Sequence, residues 1–333
     1  MAPTAVIQTK QGIGDVIWHL PFIRAIASAS PGGRVSFLTL PSTRARDLLG
    51  AEPCVAETLY FENRGSELRR GLDILRLIRM LRGLRCDTVW VLDRSARPAF
   101  CALVAGVPNR FGVGLGPQRY FITNPGIDQA LARELPIEWL KALMDTMRIE
   151  CATEPNLQLP PEIVTDVGRR YAGRPRPWIV VALGGSHPAK DWPMPHWAEF
   201  MTALRKQTSG TVFVIGGPDH AERAHGLIDR SPGAPAENAC HLGIVEAAAL
   251  LRHADLFVGP DSGPMNLAAA VGTPAFGLFG ATRVLTYSRF IIPIPPDDAG
   301  PPTMDGMRRI SPARVLERLA PHLSTSGAPV RLP

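Results

Sequence analysis

The sequence predicts an α/β protein made of two parallel-sheet units in tandem. Three observations lead there. From the N-terminus onward, short apolar runs alternate with longer segments of helical periodicity, the pattern of strands joined by helical crossovers. That alternation stops in a polar, proline-rich stretch over 151–177 and then begins again. At 333 residues, the chain is also about twice the usual size of one domain.

In the first half, strands are expected over 5–9, 35–40, 55–61, 88–93 and 110–113. Helices are expected between them over 16–29, 43–49, 67–84 and 96–104, with another over 136–149. This gives a first domain over 1–155 and a linker over 156–177 that holds one short helix, 163–171. The second domain, 178–310, has expected strands over 178–183, 211–215, 255–258 and 274–278. Its expected helices run over 195–207, 221–229, 245–252 and 263–271, with 293–302 read as loop. A closing helix over 312–323 and a tail fill 311–333, with Ser311 and Pro312 suited to the helix start. The gap between two such domains is the natural place for a ligand.

Composition narrows the function classes. No run approaches the roughly 18 uninterrupted apolar residues of a membrane span, and the N-terminus lacks the layout of a signal peptide, so a cytoplasmic protein is expected. The five cysteines are scattered without CxxC spacing, which points to reduced thiols rather than disulfides or zinc. Only four of the 36 basic residues are lysine, and seven arginines lie between Arg64 and Arg85 against Glu67 and Asp73. Such a run attracts phosphates or anionic lipid, or is simply a solvated helix face. Nucleic acid is not expected, because no aromatic interleaving or binding motif accompanies the charge.

Four turns carry candidate chemistry. Gln11-Gly12-Ile13-Gly14-Asp15 sits where the first strand enters the first helix. It has neither the third glycine of a dinucleotide fingerprint nor the Lys of a phosphate-binding P-loop. Asp15 there either caps the helix or accepts a proton from an attacking hydroxyl. Asp261-Ser262-Gly263 opens a small-residue helix whose N–H groups and dipole favour an anion, while Asp261 itself suits sugar hydroxyls. Lys190, in Gly184-Gly185-Ser186-His187-Pro188-Ala189-Lys190, can neutralise a leaving diphosphate. Glu222 follows Gly216-Gly217-Pro218-Asp219 at a strand end, where a carboxylate can grip ribose or serve as a first-turn acid. There is no DxD, no metal-ligand cluster and no GxSxG elbow, so no metal, no cofactor and no serine hydrolase is expected.

In this order the turns resemble glycosyltransferase family 9, the ADP-heptose:lipopolysaccharide heptosyltransferases. The similarity rests on Gly14-Asp15-Val16 with Leu20-Pro21, Lys190-Asp191-Trp192-Pro193, Gly216-Gly217-Pro218, Asp261-Ser262-Gly263-Pro264-Met265, and Gly272-Thr273-Pro274 followed by Leu278-Phe279-Gly280-Ala281-Thr282. The resemblance implies a GT-B fold, with two Rossmann-like domains facing a central cleft and the closing helix packing back on the first domain. It implies an acceptor-binding first domain and a nucleotide-sugar-binding second one. The implied reaction is inverting, metal-independent transfer of heptose from an ADP-sugar to a hydroxyl of the lipopolysaccharide core. Asp15 then matches the catalytic base. Ser186, Lys190, Glu222, Leu242, Gly243, Asp261, Ser262, Gly263 and Asn266 match the donor site, with Asn266 standing where the family usually has histidine. Gln11, Gly12, Arg64, Arg69, Arg70 and Arg119 become candidate contacts for an anionic glycolipid acceptor, or for the cytoplasmic face of the inner membrane. The alternatives are a family member acting on another sugar or acceptor, in capsule or O-chain assembly, and a nucleotide-sugar-binding protein without transfer.

Overall fold

Strands, the central ones apolar on both faces, pair into two parallel sheets, each the centre of one compact unit: Met1–Pro155 and Asn156–Pro333. The structure, a computed structural model, describes residues 3–62, 67–185, 187–285 and 287–323, with 67–70 by backbone alone.

In the first unit, β1 (Thr4–Ile7), β2 (Val35–Thr39), β3 (Val55–Tyr60), β4 (Thr88–Val91) and β5 (Asn109–Gly112) lie in the order β3-β2-β1-β4-β5. The helices are α1 (Ile13–Ser28), α2 (Ala45–Leu48), α3 (Glu67–Leu84), α4 (Ala96–Ala105) and α5 (Pro136–Thr146). Strand β1 is central, with Ala5, Val6 and Ile7 fully buried. Leu77, Ile78 and Leu81 of α3 and Ala99, Cys101 and Ala102 of α4 share one core with it. Chain progression reverses direction across the sheet between β1 and β4. The loops after these two strands therefore diverge and leave a crevice at their carboxyl ends.

The second unit repeats the plan. Its strands are β6 (Trp178–Ala182), β7 (Thr211–Ile215), β8 (Ala236–Asn238), β9 (Leu256–Pro260), β10 (Ala275–Leu278) and β11 (Ile291–Ile294), ordered β11-β10-β9-β6-β7-β8. Here the reversal falls between β6 and β9. The helices are α6 (Pro161–Tyr171), α7 (Met194–Gln207), α8 (Ala221–Asp229), α9 (Ile244–His253), α10 (Gly263–Ala270) and α11 (Pro312–Leu323). Trp192, Trp197 and Phe200 pack edge to face in its core.

In α11, Val315 and Leu319 are buried in the second unit's core, and the helix packs on α7. Residues 156–177, expected as a linker, are packed. The Tyr171 ring meets Trp178 and Phe213 edge to face, and His253 Nε2 lies 2.8 Å from the Val164 carbonyl. Strands β8 and β11 were not anticipated. The first is three half-buried residues with no apolar signal, and the second contains Pro293, which an edge strand tolerates because its outer N–H positions need no ladder partner.

One backbone crossing in the second unit depends on two glycines. A β-carbon on Gly306 would collide with the Gly280 carbonyl, and one on Gly280 with the backbone of residues 306–307. Gly306→Ala is expected to destabilise the protein by about 2 kcal/mol in urea unfolding, as overpacking does. Gly226→Ala, which faces open space within α8, should be neutral or stabilise by up to about 1 kcal/mol.

Candidate active site

In the second unit the loops after β9, β6, β7 and β8 are neighbours because those strands are. At the reversal between β6 and β9 the Lys190 ammonium sits 2.9 Å from both the Asp261 carbonyl and Asp261 Oδ2. Thr282 Oγ1 donates to the same Oδ2 at 2.8 Å. The Asp261 carboxylate is buried, and the ammonium is about a quarter exposed. Gly185 brings the β6 loop close: a β-carbon there would lie 3.3 Å from Ser262 Cβ and 3.7 Å from Lys190 Cβ. Asp191 Oδ1 steadies that loop by accepting from the Gly185 N–H at 3.2 Å.

Ser262 is the N-cap of α10, yet its side chain makes no capping bond. Its hydroxyl and Asn266 Oδ1 are buried without a hydrogen-bond partner among the described residues, while Asn266 Nδ2 donates to the Ser262 carbonyl at 2.7 Å. Buried polar atoms left this way are costly and gain from any hydrogen-bonding partner that reaches them. The turn thus combines an ammonium, a helix N-terminus and two unsatisfied polar atoms, which is the chemistry of an anion and hydroxyl site. Beside it, Pro188, Asp191, Trp192, Arg223, Asp305 and Arg308 help line a hollow of about 280 Å³; none of the donor candidates among the described residues borders it.

In the first unit Asp15 is the third residue of α1. Its Oδ2 accepts from the Gly12 N–H at 3.0 Å and its Oδ1 from Trp18 Nε1 at 3.3 Å. The carboxylate folds so closely over Gly12 that a β-carbon there would sit 2.8 Å from Oδ2. Asp15 therefore does cap the helix, and capping fixes its rotamer without consuming all the lone pairs of the two oxygens. Across the reversal, buried Asp93 accepts from the Thr9 N–H and hydroxyl, each at 2.8 Å, and from the Ser95 N–H at 2.7 Å, clamping the ends of β1 and β4 together.

Comparison with known proteins decides the family. Residues 74–292 match the model of Glycosyltransferase family 9 (heptosyltransferase). The chain belongs to glycosyltransferase family 9. It is 26% identical to lipopolysaccharide heptosyltransferase 2 of Salmonella typhimurium, over 95% of this chain and 97% of that one. Its fold matches E. coli ADP-heptose lps heptosyltransferase II with a TM-score of 0.75 at 23% identity, covering 96% and 98% of the two chains. E. coli heptosyltransferase WaaC with ADP aligns at 0.71 and 16% identity, over 96% and 99%. The protein is a glycosyltransferase of the GT-B fold class.

Within this family 9 chain, Lys190, Asp261, Ser262 and Asn266 come together. Gly263 begins α10; exposed Glu222 lies in the first turn of α8; buried Leu242 and exposed Gly243 lead into α9. Gln11 is exposed before α1, and Arg119 lies over the Tyr120 ring at 4.8 Å. Ser186 and Arg64 fall outside the described residues, as do the side chains of Arg69 and Arg70. Among the described residues, no group of three His, Cys, Asp or Glu could hold a metal ion. Sequence reasoning missed Asp93, Trp18 and Thr282 as site residues. Asp93 ends an expected strand and Thr282 ends the Leu278–Thr282 block, so both carried a positional signal. The five cysteines are free thiols, and burial pushes the pKa of Cys101, Cys151 and Cys240 up to about 11, which disfavours the nucleophilic thiolate.

Beneath Asp15, the wholly buried His19 ring stacks on Trp18 at 3.7 Å. Its Nδ1 contacts the Asp15 carbonyl, and its Nε2 lies 3.4 Å from the Leu92 carbonyl. Burial lowers its pKa below the ordinary 6.5, outweighing the Asp15 carbonyl and the Asp15 and Asp93 charges that pull it up. An imidazole that is neutral when folded binds a proton more readily when unfolded. Its effect is nil well above 6.5 and becomes destabilising as pH falls below that value. Urea midpoints should therefore drop between pH 7.5 and 5.5 by more in the wild type than in His19→Gln, whose uncharged amide removes this component; equal drops would contradict it.

Proposed function

We propose that this glycosyltransferase moves a heptose from ADP-heptose to a hydroxyl of the lipopolysaccharide core, with inversion and without a metal, at the cytoplasmic face of the inner membrane. The observation that carries the reading is the Lys190–Asp261–Ser262 turn at the β6/β9 reversal. Family membership and the relatives named above, one described with ADP and another as an ADP-heptose enzyme, support it.

In this reading the diphosphate lies against Lys190 and the free N–H groups at the start of α10, and Ser186, outside the described residues, is kept as a candidate donor contact. Glu222 takes the ribose hydroxyls, and Leu242 and Gly243 flank the adenine. Asp261 and Asn266 receive the sugar hydroxyls. Asn266 stays uncharged where the family usually has a histidine, so recognition here rests on its amide geometry. Asp15 accepts the proton of the acceptor hydroxyl as that oxygen bonds to the anomeric carbon. The bond to the ADP oxygen breaks on the opposite face, which inverts the configuration. The negative charge building on the diphosphate is met by Lys190 and the helix N-terminus, the task a metal ion performs in DxD enzymes. Gln11 and Gly12, next to Asp15, and the arginines at 64, 69, 70 and 119 contact the anionic acceptor.

Asp15→Asn keeps the helix cap but cannot accept the proton. Transfer from ADP-heptose to a lipid A-core acceptor should fall by about 10³-fold or more, the scale of general-base loss, with ADP affinity unchanged by calorimetry. Retained turnover would remove Asp15 from the mechanism, and acceptance of UDP- or GDP-sugars in preference to ADP-heptose would remove the donor assignment.

A further inference from the structure

Among the described residues seven large apolar or aromatic side chains are exposed, and six of them belong to one region of the first unit: Leu72, Leu75, Phe100, Leu103, Val104 and Tyr120. We propose that the joined outer faces of α3 and α4, with the Arg119–Tyr120 corner, form the surface by which the protein rests on an anionic lipid bilayer. This deepens the membrane-face part of the function proposed above and, Arg119 apart, uses residues that the transfer chemistry does not.

The geometry makes these six a single patch. Leu72, Leu75, Arg79 and Arg82 recur at steps of three and four residues, so they share the outer stripe of α3, opposite the buried Leu77, Ile78 and Leu81. Phe100, Leu103 and Val104 occupy the outer side of α4. The helices touch: Arg82 donates to the Val104 carbonyl at 3.0 Å, and Cys101 Sγ reaches the Ile74 carbonyl. The patch extends past α4 because Phe121 packs edge to face on Phe100 at 5.5 Å, next to Tyr120 with Arg119 stacked over it.

Monomeric proteins expose such side chains singly, and a contiguous group marks a contact surface. Three observations favour lipid as the occupant. The apolar residues lie on the exposed outer sides of two touching helices, as in helices that lie in the interfacial plane. Exposed Arg79, Arg82 and Arg119 accompany them, while among the described side chains two acids at α3, Glu62 and Asp73, are bridged by Arg76 at 3.0 and 3.6 Å. A tyrosine beside an arginine at the patch edge has the amphipathic character of the headgroup level. Crossover helices flank a parallel sheet, so this face leaves the carboxyl edge that carries Asp15 at the rim of the contact.

The test is co-sedimentation of the full chain with phosphatidylglycerol-rich vesicles and with pure phosphatidylcholine vesicles. Tight binding is expected only to the former, weakening with salt. Leu75→Asp with Leu103→Asp should abolish it, and Arg79→Ala with Arg82→Ala should weaken it about tenfold or more, as loss of two surface cations predicts. ADP binding and turnover of a detergent-dispersed acceptor should survive in both double variants, which shows that they fold. Vesicle binding untouched by both variants, or equal binding to neutral vesicles, would overturn the proposal. So would a wild-type dimer that the leucine variant converts to monomer, since a second copy would then cover the patch. Absence of turnover in the wild type would instead defeat the transferase reading and leave the vesicle result standing.

Discussion

The ion pair between Lys190 and Asp261 ties together the two halves of the second sheet at the one place where they diverge. A buried carboxylate opposite an ammonium is weak evidence for stability, because desolvation offsets much of the attraction. Its value here is positional. Asp261 holds the ammonium at the mouth of α10, where the helix dipole is also positive, and Thr282 holds Asp261. Two sources of positive potential thus converge on a turn whose Ser262 hydroxyl has no partner among the described residues. In the proposed reading, an arriving diphosphate competes with Asp261 for the ammonium and frees that carboxylate for a sugar hydroxyl.

The first unit solves a related problem with backbone and aromatic groups. Asp15 is held by the Gly12 N–H and the Trp18 indole, and Trp18 is held in turn by stacking on a histidine too buried to charge readily. A rigid carboxylate needs no reorganisation when a hydroxyl is presented to it. This is why helix capping and proton acceptance, opposed as readings of the sequence, are compatible in the structure.

Much of this was legible in the residues because the fold class sets where chemistry can lie. Strand-to-turn boundaries such as 7–15, 183–190 and 258–263 were marked by glycines following apolar runs, and in a parallel sheet such turns share one edge. Strands β8 and β11 were not legible, since Ala236–Asn238 lacks apolar signal and Pro293 reads as a loop residue. The direction of α11 was not legible either: an amphipathic stripe shows that a helix packs, not which neighbour it packs on. The partners of Asp15 and Asp261 were hidden for a different reason. Trp18 lies one helical turn away, and Thr282 lies 21 residues along the chain. Only the sheet order, which pairing and crossover handedness decide together, brings the β10 loop to the β9 turn.

The central claim is that the β6/β9 edge is a diphosphate site organised by Lys190. Calorimetry of ADP and AMP binding to the wild type and to Lys190→Ala tests it most directly. The account predicts that ADP binds the wild type much more tightly than AMP and that the substitution removes most of that difference while sparing AMP. Equal affinity for the two nucleotides, or an ADP preference that survives the loss of the ammonium, would contradict it.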